Sequence, residues 1–244
     1  MTNNVFYYSG LTQKEQVIFS ELHNIDKDLA FKYVEKIGKG SFEKPHDELF
    51  NDWETSDFLF KEPEAELVAK FINEFPENST IVEMGVWKGW STSLIIPKLK
   101  RDYNYICVDW FKGSPTESCD NANPDVVEKM FVDRMKEKNI FNKIKLIRGN
   151  SIVVADYFKD ETIDLFFLDG AHTEPHFRND LKAWSDKIKI GGIFSGHDWN
   201  TVGDSALSFF IIDGRFETIY VPDEIRNKTI GSFDVSTWFF RRVK

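Results

Sequence analysis

The chain has 244 residues, enough for one large domain with a full core and short of two comparable ones. Hydrophobic residues make up 41% and charged residues 29%, which excludes a disordered chain, and 23 Phe with 7 Trp foretell an aromatic-rich core or cleft. A net charge of −9 speaks against a protein that coats a nucleic-acid backbone, because that affinity rests on clustered Lys and Arg.

The opening "MTNNVFYYSGLTQKEQ" has no basic stretch leading into an apolar one, and no run reaches the roughly 18 apolar residues of a membrane span. Cys107 lies in an apolar, strand-like run and Cys119 in a polar loop, so the two do not form a disulfide framework. The expectation is a soluble protein of a reducing compartment, the cytoplasm.

Residues 1–62 carry helical spacing in "TQKEQVIFSELHNI" and "KDLAFKYVEKI", then the loop-like "GKGSFEKPHDELFNDWETSD". They are expected to form a helical extension, either a lid over a substrate or a contact between copies of the chain. The main domain is expected over 63–244. It opens with "PEAELVAKFINEF", where Leu67, Val68, Phe71, Ile72 and Phe75 make the stripe of a helix that packs on a core, with Pro63 in its first turn and Pro76 at its end.

From residue 79 short apolar runs alternate with helical pieces: "TIVEMGV", "YNYICVDW", "KIKLIRGNS", "IDLFFLDG" and "GGIFSGHDW". That alternation predicts βαβ units and a doubly wound α/β fold, a Rossmann-like parallel sheet covered on both faces. The end differs. After a helix over "ALSFFIID", the runs "FETIYVP" and "STWFFRRVK" have too little between them for a packed crossover helix, so they are expected to pair antiparallel near the sheet edge.

In open α/β sheets ligands lie beyond the carboxyl ends of the strands. After the first strand stand Glu83, Gly85, Gly89 and Ser91; after the second, 24 residues beyond Gly85, stands Asp109. A glycine turn lets backbone approach a ligand, and an acid at the next strand tip can accept both hydroxyls of a ribose. Taken singly, these are also ordinary turn and cap residues; together they point to a nucleoside-containing cofactor. The G-x-G-x-x-G of a dinucleotide site is absent, and Glu83 so close to the turn suits a cationic ligand better than a pyrophosphate.

After the fourth strand "LFFLDGAHTEPHFRNDL" offers Asp169, His172 and His176, and after the fifth "GHDWN" offers His197, Asp198 and Asn200. Adjacent parallel strands lie about 4.8 Å apart, so Asp169 and Asp198 come within reach of one shared ion. An Asp after a strand can equally cap the next helix, His176 has the position of a packing or surface residue, and His197 is open to either reading.

"VEMGVWKGWSTSLI", "YICVDWFKGS", "IDLFFLDGAH" and "IKIGGIFSGHDW" resemble the successive motifs of class I S-adenosylmethionine-dependent methyltransferases, in particular the methyltransferase-24 type. The likeness runs from about residue 64 to the end. It implies a seven-stranded sheet of order 3-2-1-4-5-7-6 with the last strand antiparallel. It implies S-adenosylmethionine bound by Glu83, Gly85, Gly89 and Ser91 around the methionine, Asp109 at the ribose, Trp110 over the adenine or the substrate, and Asn150 or Ser151 at the adenine edge, with Asp169 close by. "GNS" stands where such proteins often place an acid at the adenine. Relatives that methylate sugar or catechol hydroxyls imply a divalent cation, Mg or Mn, on Asp169 and Asp198 with His197 or Asn200 as third ligand, and His172 as the base.

Methyl transfer to oxygen needs a base or Lewis acid, which two Asp and a His would supply. An O-methyltransferase acting on a sugar, glycan or glycosylated small molecule is therefore expected, with no nucleic-acid partner. A nicotinamide-dependent oxidoreductase on a similar sheet, or a non-catalytic cofactor-binding module, are the competing readings.

Overall fold

The computed structural model describes residues 60–113, 123–222 and 236–244. The expected extension over 1–62 falls almost wholly outside the described residues, as does the polar loop that carries Cys119.

Seven strands form one sheet: β1 Thr80–Met84, β2 Asn104–Asp109, β3 Ile144–Arg148, β4 Ile163–Leu168, β5 Ile188–Gly196, β6 Phe216–Tyr220 and β7 Trp238–Arg242. Their order is β3-β2-β1-β4-β5-β7-β6. β1 to β5 pair parallel, while β7 runs antiparallel to both β5 and β6, which is the edge arrangement expected from the short sequence between the last two strands.

Among the described residues six α-helices cover the two faces: α1 Glu62–Ile72, α2 Trp90–Ile95, α3 Pro124–Glu137, α4 Ser151–Ala155, α5 His176–Ser185 and α6 Trp199–Asp213. Period-two alternation along the strands divides the core in two. Ile81, Tyr105, Cys107, Leu165, Phe167 and Phe239 face α1, α2 and α3; Val82, Met84, Ile106, Phe166, Phe194 and Trp238 face α4, α5 and α6. Of the buried aromatics among the described residues, six pack in the first layer and nine in the second. There Phe166 stacks on Trp184 at 4.6 Å, a pair worth about 1 kcal/mol beyond its buried area.

α1 ends at Ile72 rather than Phe75, because the Asn73 side chain turns to take the Lys100 amide N–H at 2.8 Å and closes the chain toward β2. α6 begins at Trp199, one turn and more before the apolar run that announced it. Among the described residues no helix is long and apolar enough to cross a membrane. The parallel topology brings the tips of β1 to β5 to one rim, where every candidate residue lies.

Candidate functional site

At the tip of β1 the carboxylate of Glu83 has no exposed surface. It accepts hydrogen bonds from the hydroxyls of Ser91, of Thr92 at 2.8 Å and of Tyr105 at 2.7 Å. Burial raises its pKa and the three hydroxyls pull it back down in part. Both Glu83 and Ser91, expected against the methionine portion of the cofactor, thus spend their side chains on pinning the start of α2 to β1 and β2. The Tyr105 hydroxyl and Cys107 thiol beneath them are pushed well up by burial and by the Glu83 charge.

Gly85 has φ +90°, and a Cβ there would lie 1.9 Å from the carbonyl oxygen of Asp169. The glycine is required by the loop after β4, which closes over it; Asp169 in turn donates its N–H to Met84 O at 2.8 Å. Gly89, with φ +81°, stands at the N-cap of α2, where a Cβ would meet Met135 and Phe131. Glycine at both places lets the turn lie tightly against its neighbours.

Asp109 ties two loops together. One carboxylate oxygen accepts Trp87 N–H at 2.7 Å and the other Phe111 N–H at 2.6 Å. Burial lifts its pKa to about 6 against these backbone donors. Each oxygen retains a lone pair, so the group is held in place with acceptor capacity left. Trp110 donates its indole N–H to Gly113 O at 2.7 Å, which fixes the ring in the loop after β2. Asn150 caps α4 by accepting Ile152 N–H at 3.0 Å. The Ser151 hydroxyl points inward, to Trp184 Nε1 at 2.8 Å and to the buried Asp180.

The tips of β4 and β5 are built differently. His172 Nε2 lies 2.8 Å from Asp198 Oδ2 and 3.6 Å from Asp169 Oδ1; His197 Nδ1 lies 3.0 Å from Asp198 Oδ2 and 3.6 Å from Asp169 Oδ1. Asp198 occupies the N-cap position of α6 with φ +54°, yet its side chain makes no capping bond. Its carboxylate turns to the imidazoles instead. Burial works against its charge, but His172 and His197 outweigh that and hold it below the ordinary carboxylate range.

Asp169, His172 and Asp198 offer ligand atoms all within 4.8 Å of one another, a set that fits a divalent cation by both spacing and donor chemistry. The third member differs from expectation. His197 is buried, and both its ring nitrogens are already engaged, Nδ1 by Asp198 and Nε2 by Glu64 at 3.1 Å. A ring clamped between two carboxylates has no lone pair to give a metal. Burial disfavours its charge, but Asp169, Asp198 and Glu64 prevail and hold its pKa well above the ordinary imidazole value. His176 and Asn200 stand exposed in the first turns of α5 and α6.

Glu64 and Asp180 are two buried carboxylates that sequence reasoning passed over. A signal for each was present. Glu64 falls in the stripe of Val68 and Ile72 on α1, and Asp180 in the stripe of Phe177, Leu181 and Trp184 on α5. A charge at a core position of an amphipathic helix asks for a partner.

Residues 82–199, just under half of the chain, match the family model described as a methyltransferase domain, of the type numbered 24. No curated protein matches the sequence. Solved structures with the same fold include a structural-genomics protein of Corynebacterium glutamicum, at 11% identity over 88% of this chain and 98% of that one, with a TM-score of 0.59. A protein of Methanococcus maripaludis assigned as an S-adenosyl-L-methionine-dependent methyltransferase aligns at 13% identity, 84% and 97% coverage and a TM-score of 0.55. The O-methyltransferase TomG of Streptomyces achromogenes, involved in tomaymycin synthesis and solved with S-adenosylmethionine, aligns at 13% identity, 81% and 87% coverage and a TM-score of 0.52. At these identities the likeness is one of fold. Sheet order and matched segment together give the chain the fold of class I methyltransferases, with residues 82–199 similar to a methyltransferase domain.

Proposed function

We propose that the protein is an O-methyltransferase that carries the methyl group of S-adenosylmethionine to a hydroxyl of a sugar, a glycan or a glycosylated small molecule. The observation that supports this most is the meeting of Asp169, His172 and Asp198 at the tips of β4 and β5, with Asp198 withheld from capping α6. A hydroxyl is a weak nucleophile at neutral pH and needs such groups, whereas an amine needs only to be neutral.

In this reading the Asp198 carboxylate, 2.8 Å from Nε2, stabilises the imidazolium that His172 becomes as it takes the acceptor's proton. The new O–C bond forms as the S–C bond of the sulfonium breaks, and the electron pair returns to sulfur, giving S-adenosylhomocysteine. The chain's main contribution is to hold the acceptor oxygen in line behind the methyl carbon. Asp109, fixed by Trp87 and Phe111, would receive the ribose hydroxyls. Trp110, held by Gly113, presents a set ring suited to stacking on a sugar or the adenine.

Asp169 and Asp198 would hold a divalent cation, which when bound there lowers the pKa of a coordinated hydroxyl. The ligand cluster also favours a second reading, with His172 as third ligand in the place expected for His197. An imidazole in the set admits manganese as well as magnesium. The reading includes a cytoplasmic location, in keeping with the free, buried Cys107 thiol, and residues 1–62 as a lid or a contact between copies.

Incubation with S-adenosylmethionine and a glycoside panel, followed by mass spectrometry of acceptor and cofactor, tests the reaction. A methylated glycoside with matching S-adenosylhomocysteine is the expected outcome. Calorimetric binding of NAD without binding of either methionine cofactor would overturn it. Full activity in the presence of a chelator would remove the cation and leave His172 as the base.

A further inference from the structure

Glu64 is 2% exposed, and a buried carboxylate is costly unless its oxygens are matched. Oε2 accepts Lys61 N–H at 2.9 Å. Oε1 accepts Ser236 N–H at 2.6 Å and lies 3.1 Å from His197 Nε2. The other ring nitrogen of His197 faces Asp198 Oδ2 at 3.0 Å, and that same oxygen faces His172 Nε2 at 2.8 Å. One continuous line of contacts therefore runs from α1 to His172: carboxylate, imidazole, carboxylate, imidazole. The His197 ring is also braced by Phe60, with centroids 5.4 Å apart, while its carbonyl accepts the Trp238 indole N–H at 2.9 Å.

We propose that Glu64 is a positioning residue for the acceptor site: through His197 it sets the direction in which Asp198 presents its carboxylate to His172. The inference rests on the methyl-transfer reading given above. Asp198 needs such a device because it stands where an Asp ordinarily turns onto the free N–H groups of the helix that follows. Glu64 opposes that turn in two ways. It fixes the ring that holds Asp198, and it fixes Ser236, whose carbonyl takes the first N–H of α6 from Trp199 at 3.0 Å. Outer partners of this kind commonly set the activity of the groups they orient.

Glu64→Gln in the full chain keeps the side chain's shape and an acceptor for Ser236 while withdrawing the charge that holds the ring. NMR of the histidine side chains should then show His172 resonances shifted along with those of His197, although of the two rings Glu64 touches only that of His197. Methyl transfer should lose about 10- to 100-fold in kcat, with S-adenosylhomocysteine affinity and thermal midpoint close to wild type. His197→Gln cuts the same link from the other end and should shift His172 and lower kcat alike. Adding Glu64→Gln to it should cost no more than about a further twofold. Unmoved His172 resonances in both single variants, or fully additive losses in the double variant, would overturn the proposal. The NMR result decides the role of Glu64 even if the wild-type protein methylates no glycoside, so the two readings fail separately.

Discussion

The two halves of the rim use their acids in opposite ways. Under the tips of β1, β2 and β3, carboxylate and amide oxygens are taken up by hydroxyls and backbone N–H groups: Glu83 by three hydroxyls, Asp109 by two amides, Asn150 by the start of α4. At the tips of β4 and β5 the acids face imidazoles, and the backbone donors beside them are satisfied by others. The first half is a scaffold whose shape is set before any ligand arrives. The second keeps exchangeable protons and ligand lone pairs at the surface, which is what proton transfer or a cation requires.

The junction of the halves is where the largest effect is expected. Gly85→Ala puts a methyl group into the Asp169 carbonyl and an L-residue at φ +90°, a cost of about 1–2 kcal/mol from the backbone conformation and more from the clash. Loss of soluble protein, or a sharply lowered thermal midpoint with no S-adenosylhomocysteine binding, is expected. Unchanged calorimetry would mean that the two halves do not interlock as described. Next in size is His172→Ala, which should lower kcat by about a hundred- to ten-thousandfold and leave cofactor affinity intact. Equal loss of both would place His172 in the scaffold half.

Much of this division was legible beforehand. Alternating runs and helices, with a final pair of strands too close for a crossover, led to a parallel sheet with an antiparallel edge; the strand order came from the resemblance to class I methyltransferases, and the strand tips offered Asp169, His172 and Asp198. What could not be read was which acids would be consumed by the protein itself. Glu83 looks like a ligand-facing acid until Tyr105, 22 positions later, is seen to share its face. His197 looks like a metal ligand until Glu64, 133 positions earlier, is found behind it. Short-range spacing reports strand tips and helix stripes; long-range pairing of buried polar groups depends on register and packing, which spacing does not encode.

Asp180 sharpens the comparison from the scaffold side. Burial pushes its carboxyl up to about 6 from an ordinary 3.8, and the Ser151 hydroxyl offsets this only in part. The folded chain therefore holds this proton more tightly than the unfolded one. The associated stability is fully present below the unfolded value and is lost as pH rises through about 6, to the extent of at most about 3 kcal/mol. Asp180→Asn should be more stable than wild type at pH 8, gain little at pH 4, and show a flatter stability profile between them in chemical denaturation. An unchanged slope would mean that Asp180 is not the buried acid responsible.

The smallest effect asks whether the scaffold half is scaffold alone. Ser91→Ala takes one of three hydroxyls from a carboxylate that has no exposed surface. A buried acceptor left short of a partner costs about 1–3 kcal/mol, here at the low end because Thr92 and Tyr105 remain. The thermal midpoint should therefore fall. S-adenosylhomocysteine affinity should stay within about threefold, since well-separated effects add and this hydroxyl points to Glu83. A tenfold loss of affinity with an unaltered midpoint would return Ser91 to the cofactor's surface and erase the distinction between the two halves at the tip of β1.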